Sequence, residues 1–337
     1  MPDLERPPLF DARGNRYVVV SSPRVRGLGR LIDDPVAAAS AHAEWTAEGI
    51  ASFCLRSAAD SGGGNEKPYW SDGLLVGPFP STDGFGLIIV NTDGTIAERS
   101  GNGLTIFARF LIESGLANPE ASFDIAVFHP NSPSGRLIAA CCAATLDGDA
   151  GVWVDMGRPG FGPAVVGVSP AALNPAPGGE RGEAEVLPLK RIDPSWTHSV
   201  FVNIGNPHCV TFVDGELPSM QRLRDELRPL EAIANSASAA ERPGAGVVCK
   251  AGVNLQWARA VSGSELEARV FERGEGPTQS SGSSAVAVAC AARYLGLVHT
   301  PEVLVRMPGG IAPIAFDADG GVHLFGQASS VPYGNES

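Results

Sequence analysis

The apolar positions of this chain come in short runs, and two of those runs are laid out alike. Leu87 to Val90 and Leu266 to Val270 are brief apolar stretches bounded by turn residues, which predicts strands. "NTDGT" and "ERGEGPT" follow them and carry the glycines of turns. A serine comes next in each copy, Ser100 and Ser281, and then a helical spacing. Leu104, Phe107, Ala108 and Leu111 fall on one face, as do Ala285, Val288, Ala289 and Ala292. The second helix is almost wholly small and apolar, which suits burial in a strand-rich lobe. Gly115 and Gly296 stand where C-terminal caps are expected.

The likeness extends further. "FDARGNRYVVV" from Phe10 matches "FVNIGNPHCVTFV" from Phe201, each running through a Gly-Asn pair into a β-branched stretch, so that Asn15 aligns with Asn206. Asn91 precedes Ser100 by nine residues, and Glu272 precedes Ser281 by nine. Matches in the same order in both halves point to duplication of a module of about 150 residues. Many strands with one central helix per copy give an α+β fold of two similar lobes. Three polar loops interrupt the pattern, at residues 57–71, 176–185 and 237–246, and the first reads as an insertion.

Composition narrows the function. The 337 residues are 44% hydrophobic and 18% charged, enough apolar material for a sizeable core. A formal charge of −12 makes phosphate backbones and anionic lipid poor partners, so neither nucleic acid nor membrane is expected. No apolar run reaches transmembrane length, and "MPDLERPPLF" lacks the form of a secretory signal. The six cysteines, without any C-x-x-C, read as reduced, buried thiols of a cytoplasmic protein. The six histidines show no H-x-H or H-E-x-x-H spacing, so no metal is expected. There is no G-x-S-x-G, no S-x-x-K and no P-loop, which disfavours a serine hydrolase or a nucleotide site.

The serines carry the chemistry. A residue directly before a helix sits beside unpaired backbone N–H groups, which form an anion site. A lone serine there is first of all an N-cap. Two such starts facing one carboxylate would stabilise negative charge on the adjacent carbon. A group at each start would then serve opposite faces of that carbon, allowing inversion without a cofactor.

At this point the residues resemble a family. "GNRYVVV", "DGLLVG", "NTDGTIAERSGNG", "FARFL", "GNPHCV" and "ERGEGPTQSSGSSA" are similar to diaminopimelate epimerase, a cofactor-independent amino-acid epimerase. The resemblance implies two halves related by a pseudo-two-fold, with a substrate cleft between them. It also implies that the C-terminal segment returns to the first lobe, giving lobes of 1–136 plus 322–337 and 137–321. Two cysteines act as base and acid in that family, and Ser100 and Ser281 occupy their positions. By the same resemblance Asn15, Asn91, Asn206, Asn254, Glu272 and Arg273 would hold the distal end of the substrate. Gly101, Asn102, Gly282 and Ser283 would hold the reacting carboxylate. The implied partner is a small amino acid, with no pyridoxal phosphate or metal, and a homodimer is compatible with this reading. Gly282-Ser283-Ser284 departs from the family's glycine-rich pattern.

Serine is a harder base than cysteine. A thiol ionises near pH 8.5, whereas an aliphatic hydroxyl is weaker by several units. Helix-end effects are typically about 0.3–1 kcal/mol and reach only ~2, so a serine base needs help. His208 is a candidate near Asn206, although it reads first as structural; no lysine is close to either serine in sequence. Three readings stay open: an epimerase; a dehydratase or tautomerase on the same scaffold; and a relative, natural or with thiols exchanged by design, that binds an amino acid without turning it over.

Overall fold

The computed structural model describes residues 6–21, 34–56, 68–130, 132, 135–178, 182–237 and 246–333. Most of the 57–71 and 237–246 loops, and the middle of the 176–185 loop, lie outside them. The chain forms two compact units, Met1–Asp155 with Gly326–Ser337, and Met156–Phe325.

The first unit contains β1 (Leu9–Ala12), β2 (Asn15–Val20), α1 (Pro35–Ser40), α2 (Thr46–Phe53), β3 (Gly73–Phe79), β4 (Phe85–Asn91), β5 (Ile96–Ala97), α3 (Gly101–Glu113), β6 (Phe123–Phe128), β7 (Arg136–Leu146) and β8 (Asp149–Asp155). β1 and β2 are antiparallel, β2 and β3 parallel, and β3 and β4 antiparallel. β4 also takes β5 antiparallel and β6 parallel, and β6, β7 and β8 continue as an antiparallel meander.

The second unit starts with β9 (Gly160–Phe161), β10 (Leu173–Pro175), β11 (Ala184–Val186) and α4 (Leu187–Ile192). It then runs through β12 (His198–Asn203), β13 (Pro207–Phe212), α5 (Met220–Asp225), α6 (Leu227–Ala234), β14 (Asn254–Ala260), β15 (Glu265–Glu272), β16 (Gly276–Thr278), α7 (Gly282–Leu295), β17 (Glu302–Met307), β18 (Gly310–Phe316) and β19 (Val322–Gly326). The ladder β12–β13–β14–β15 repeats β1–β2–β3–β4, with the same parallel step second. β15 takes β16 antiparallel and β17 parallel, and β17, β18 and β19 form the closing meander. Strand order, pairing sense and helix position therefore recur one for one, which the sequence matches had indicated.

The first unit is completed from far along the chain. β20 (Ser329–Val331) pairs antiparallel with β1, Leu9 opposite Val331. Gly326, at the start of this return, lies so close to Thr105 of α3 that a Cβ would collide with its side chain. The units divide at 155/156 and 325/326, with β7 and β8 on the same side of the first division as β6, against which β7 is paired.

In each unit one long helix, α3 or α7, packs against the strands. Leu104, Phe107, Ala108 and Leu111 of α3 are fully buried, as the spacing predicts. Burying each of the larger side chains is worth roughly 1.5–3 kcal/mol. In α7 every residue from Gly282 to Ala292 is buried. Gly115 and Gly296 adopt positive φ of 68° and 76° at the helix ends, a region open to glycine without a Cβ penalty. Apolar clusters cover the other faces, around Trp45, Ile50, Leu74 and Ile88 in the first unit and Trp196, Leu230 and Trp257 in the second. Five of the six cysteines are buried and all are free. Cys142 is exposed, against expectation, because alternation along β7 sends it to the opposite face from buried Cys141.

Candidate active site

Two tight turns set the asparagines. Arg13 and Gly14 join β1 to β2 with φ of 56° and 82°, the backbone of a two-residue hairpin turn of type I′. The Gly14 N–H donates to Asp11 Oδ1 at 2.8 Å, and the Arg16 N–H donates to Asp72 Oδ2 at 2.9 Å. Asn15 thus begins β2 in a fixed pose, and its buried Oδ1 has no partner among the described residues. In the second unit Gly205 takes φ of 89° and donates to Asn203 Oδ1 at 3.0 Å, placing Asn206 just before β13.

From these turns the register carries two equivalent rows. In the first unit Tyr17 lies beside Gly73, and Gly73 lies opposite Asn91. In the second His208 lies beside Asn254, and the pairing of Leu255 with Phe271 sets Asn254 level with Glu272. Asn91, Asn254 and Glu272 therefore fall in matching rows. Asn91 is turned locally, its Nδ2 donating to Thr95 Oγ1 at 2.9 Å. Glu272 Oε2 accepts from Thr278 Oγ1 at 3.0 Å, and Asn254 Oδ1 accepts from the Arg273 N–H at 3.0 Å. The Arg273 guanidinium donates to the Ala251 carbonyl at 2.9 Å.

Ser100 and Ser281 are both helix N-caps with extended backbones. Ser100 Oγ accepts from the Gly103 N–H at 3.1 Å, and Ser281 Oγ from the Ser284 N–H at 3.4 Å. Gly101 and Asn102, and Gly282 and Ser283, form the first turns, where backbone N–H groups lack intrahelical acceptors. An accepted N–H and the helix dipole both favour an oxyanion on the serine. Capping and proton transfer are compatible, because the cap uses the lone pairs and leaves the hydroxyl proton available.

The polar surroundings of the two serines differ. Ser100 is half-buried, and Tyr17, buried by its ring, brings its phenol oxygen to 3.4 Å from Ser100 Oγ. Two residues before the serine, Glu98 lies 3.5 Å from His129, whose imidazole is held below its ordinary value chiefly by burial. Arg99 is buried too, with the charges of Asp155 and Glu98 acting on it. Ser281 is 4% exposed. Behind its helix start runs a buried chain in which Gln256 Nε2 donates to Ser284 Oγ at 3.0 Å and meets His208 Nδ1 at 2.9 Å. Burial, with the charge of Arg273, pushes His208 down to about 3, so its ring is neutral at neutral pH. It is a structural acceptor there, not a base.

Known proteins fall in line with this frame. The Diaminopimelate epimerase family model matches residues 200–331. Diaminopimelate epimerase 2 of Nostoc sp. is 32% identical over 71% of this chain and 72% of its own length. The chain belongs to the diaminopimelate epimerase family. The chloroplastic diaminopimelate epimerase of Oryza sativa subsp. japonica is 31% identical over 79% of this chain and 68% of its own. Among solved structures, a hydroxyproline epimerase from Agrobacterium vitis shares the fold with a TM-score of 0.56 at 14% identity, over 96% of this chain and 88% of its own. Members of this family are isomerases by name, and the chain shares their α+β fold.

The sequence pointed to the serines, the asparagines, Glu272 and Arg273, and to Ser284 as a departure from the family pattern. It did not point to Tyr17, Gly73 or Gln256. Tyr17 had a signal: it stands two residues after Asn15, as His208 stands two after Asn206. Gln256 and Ser284 stand where the first copy has Leu75 and Gly103, so no polar match in the repeat marked them.

Proposed function

We propose that this protein is a cofactor-independent amino-acid epimerase of the diaminopimelate type, transferring protons at the α-carbon. Ser100 and Ser281 serve the two faces of that carbon. The first turns of α3 and α7 receive the reacting carboxylate through Gly101, Asn102, Gly282 and Ser283. Asn15, Asn91, Asn206, Asn254, Glu272 and Arg273 recognise the far amino and carboxylate groups, amides and a guanidinium being the donors and acceptors a zwitterion needs.

One observation carries this reading. In a chain of this family, the same hydroxyl-bearing helix start occurs twice, at the same place in two strand ladders of matching order and pairing sense. Loss of the α-proton leaves a carbanion conjugated with the carboxylate, and donors preorganised at a helix start stabilise that charge. The serine that took the proton and the serine that gave one exchange roles in the reverse reaction.

Incubation with diaminopimelate in deuterated water tests it. Deuterium at the α-carbon with inversion supports the epimerase. With a β-hydroxy amino acid in place of diaminopimelate, loss of water to a keto product would replace it with an eliminating enzyme, and a thermal shift with diaminopimelate but without exchange or product would replace it with a binding protein. In the paired variant Ser100→Cys and Ser281→Cys, epimerisation should rise well above wild type, since thiols ionise more readily.

A further inference from the structure

The serine before α3 lacks a thiol's acidity, yet the fold places a second hydroxyl against it. Tyr17 and Ser100 are separated by 83 positions in sequence and brought to 3.4 Å by β2 and α3. That distance is long for two hydroxyls, and catalytic hydrogen bonds in unliganded structures commonly tighten when substrate arrives. The ring's position is built rather than incidental. Tyr17 pairs with Gly73 across the parallel step, and a Cβ on Gly73 would stand 2.6 Å from Tyr17 Cε1 and 2.5 Å from the Val90 carbonyl. Gly103, which donates to Ser100, is less tightly enclosed: its Cβ would lie 3.2 Å from Ser100 Oγ. Two glycines thus clear the space in which phenol and serine meet.

We propose that Tyr17 is the proton partner of Ser100, a positioning residue acting on the α-carbon through the serine. When Ser100 is the base, the α-proton passes to Ser100 Oγ as the serine's own proton passes to the Tyr17 phenolate. The C–H electron pair stays on the substrate, and the negative charge leaves the phenol. In the other direction the phenol gives its proton to Ser100 Oγ while the serine gives one to the carbanion. Both steps conserve protons and need no other reactant. The proposal rests on the epimerase reading above. The charged groups on the elements around Tyr17 are Arg16, paired with Asp11 at 3.1 Å, Asp72 on the Arg16 N–H, and Glu98 and Arg99 ahead of Ser100. Behind Gly73, Cys54 is pushed up to about 11 by burial, so it does not supply a thiolate in place of the phenol.

The test is α-deuterium exchange against pH for wild type, Tyr17→Phe, and protein carrying 3-fluorotyrosine at position 17. Phenols ordinarily titrate near pH 10, and fluorination makes them more acidic. The expected result is a wild-type rate that climbs with pH, a loss of roughly 10²–10⁴-fold in Tyr17→Phe with the climb flattened, and a climb moved to lower pH in the fluorotyrosine protein. A ring held only for packing would leave the pH profile in place. Should Tyr17→Phe fold poorly, the nearly isosteric fluorotyrosine protein decides. Exchange by Tyr17→Phe at the wild-type rate and pH profile overturns the role of Tyr17 and leaves the epimerase standing. Absence of exchange in the wild type overturns both.

Discussion

The helix starts at Ser100 and Ser281 are copies of one device in different settings. Around Ser100 the row runs Tyr17, Gly73, Asn91, and the missing Cβ admits a phenol to the serine. Around Ser281 it runs His208, Asn254, Glu272, and an asparagine side chain fills the place that Gly73 leaves empty. The ring two residues past the Gly-Asn turn points its polarity differently in each. Tyr17 meets the serine itself, whereas His208 meets Gln256, and Gln256 meets Ser284 one turn into the helix. Duplication thus preserved backbone pairing, which every strand depends on. It did not preserve the polar partners, which one substitution each can replace.

The sharpest way to break the comparison is to remove each hydroxyl. Ser100→Ala and Ser281→Ala should each cut α-proton exchange by about 10²–10⁴-fold, measured by mass spectrometry in deuterated water. Equal loss of exchange on both faces of the substrate would make the two starts equivalent partners. If either variant keeps wild-type exchange, that serine is only a cap. Loss of the cap itself should cost about 1 kcal/mol in each, read from urea unfolding.

A smaller effect separates the buried relay from the phenol. Gln256→Leu would leave Ser284 Oγ and His208 Nδ1 without their shared partner in a dry interior. Each stranded group costs about 1–3 kcal/mol, so a loss of roughly 2–6 kcal/mol in urea unfolding is expected. Wild-type stability in Gln256→Leu would show that the relay contributes nothing.

The pH response should also be one-sided. His208 is held at about 3 in the folded protein against an ordinary 6.5. Below pH 6.5 the unfolded chain binds a proton that the folded chain refuses, so stability falls as pH drops from 6.5 toward 3. The slope is about 1.4 kcal/mol per pH unit at its steepest. Replacing His208 by Asn should flatten that limb between pH 6 and 4, while Tyr17→Phe should not. An unchanged limb in the His208 variant would assign it to other groups.

The least disruptive probe addresses what the copies share. Gly115→Ala and Gly296→Ala both force a Cβ into positive φ at a helix end, and each should cost about 1–2 kcal/mol. A marked inequality between them would mean the two helices are not held alike.

The frame was legible in the sequence because it is written in periodicity and turns. Leu104 to Leu111 repeats at helical spacing, and Arg13-Gly14-Asn15 and Ile204-Gly205-Asn206 bracket the hairpins. The places of Ser100 and Ser281 before a helix were legible because each precedes such a spacing. Tyr17 went unnoticed because its meeting with Ser100 depends on a parallel pairing of β2 with β3, and nothing local signals a partner that far along the chain. Cys142 was misplaced for a related reason: apolar surroundings in sequence say little about which face of a strand a residue occupies. The relay through Gln256 lay hidden because a glutamine within an apolar strand looks like any solvent-facing position until the strand is seen to be covered.

The return of β20 to β1 has a bearing on how the protein is made. Ribosomal synthesis delivers residues 156–325 complete before β20 emerges, so the second unit can settle while the first still lacks a strand. Until then the outer edge of β1 stands open, and Tyr333 has yet to donate to the Pro7 carbonyl at 2.7 Å and stack edge-on against Trp70. A nascent chain stalled at residue 325 should therefore resist protease in its later half and be cut in its earlier one, with aggregation seeded at that unfinished edge.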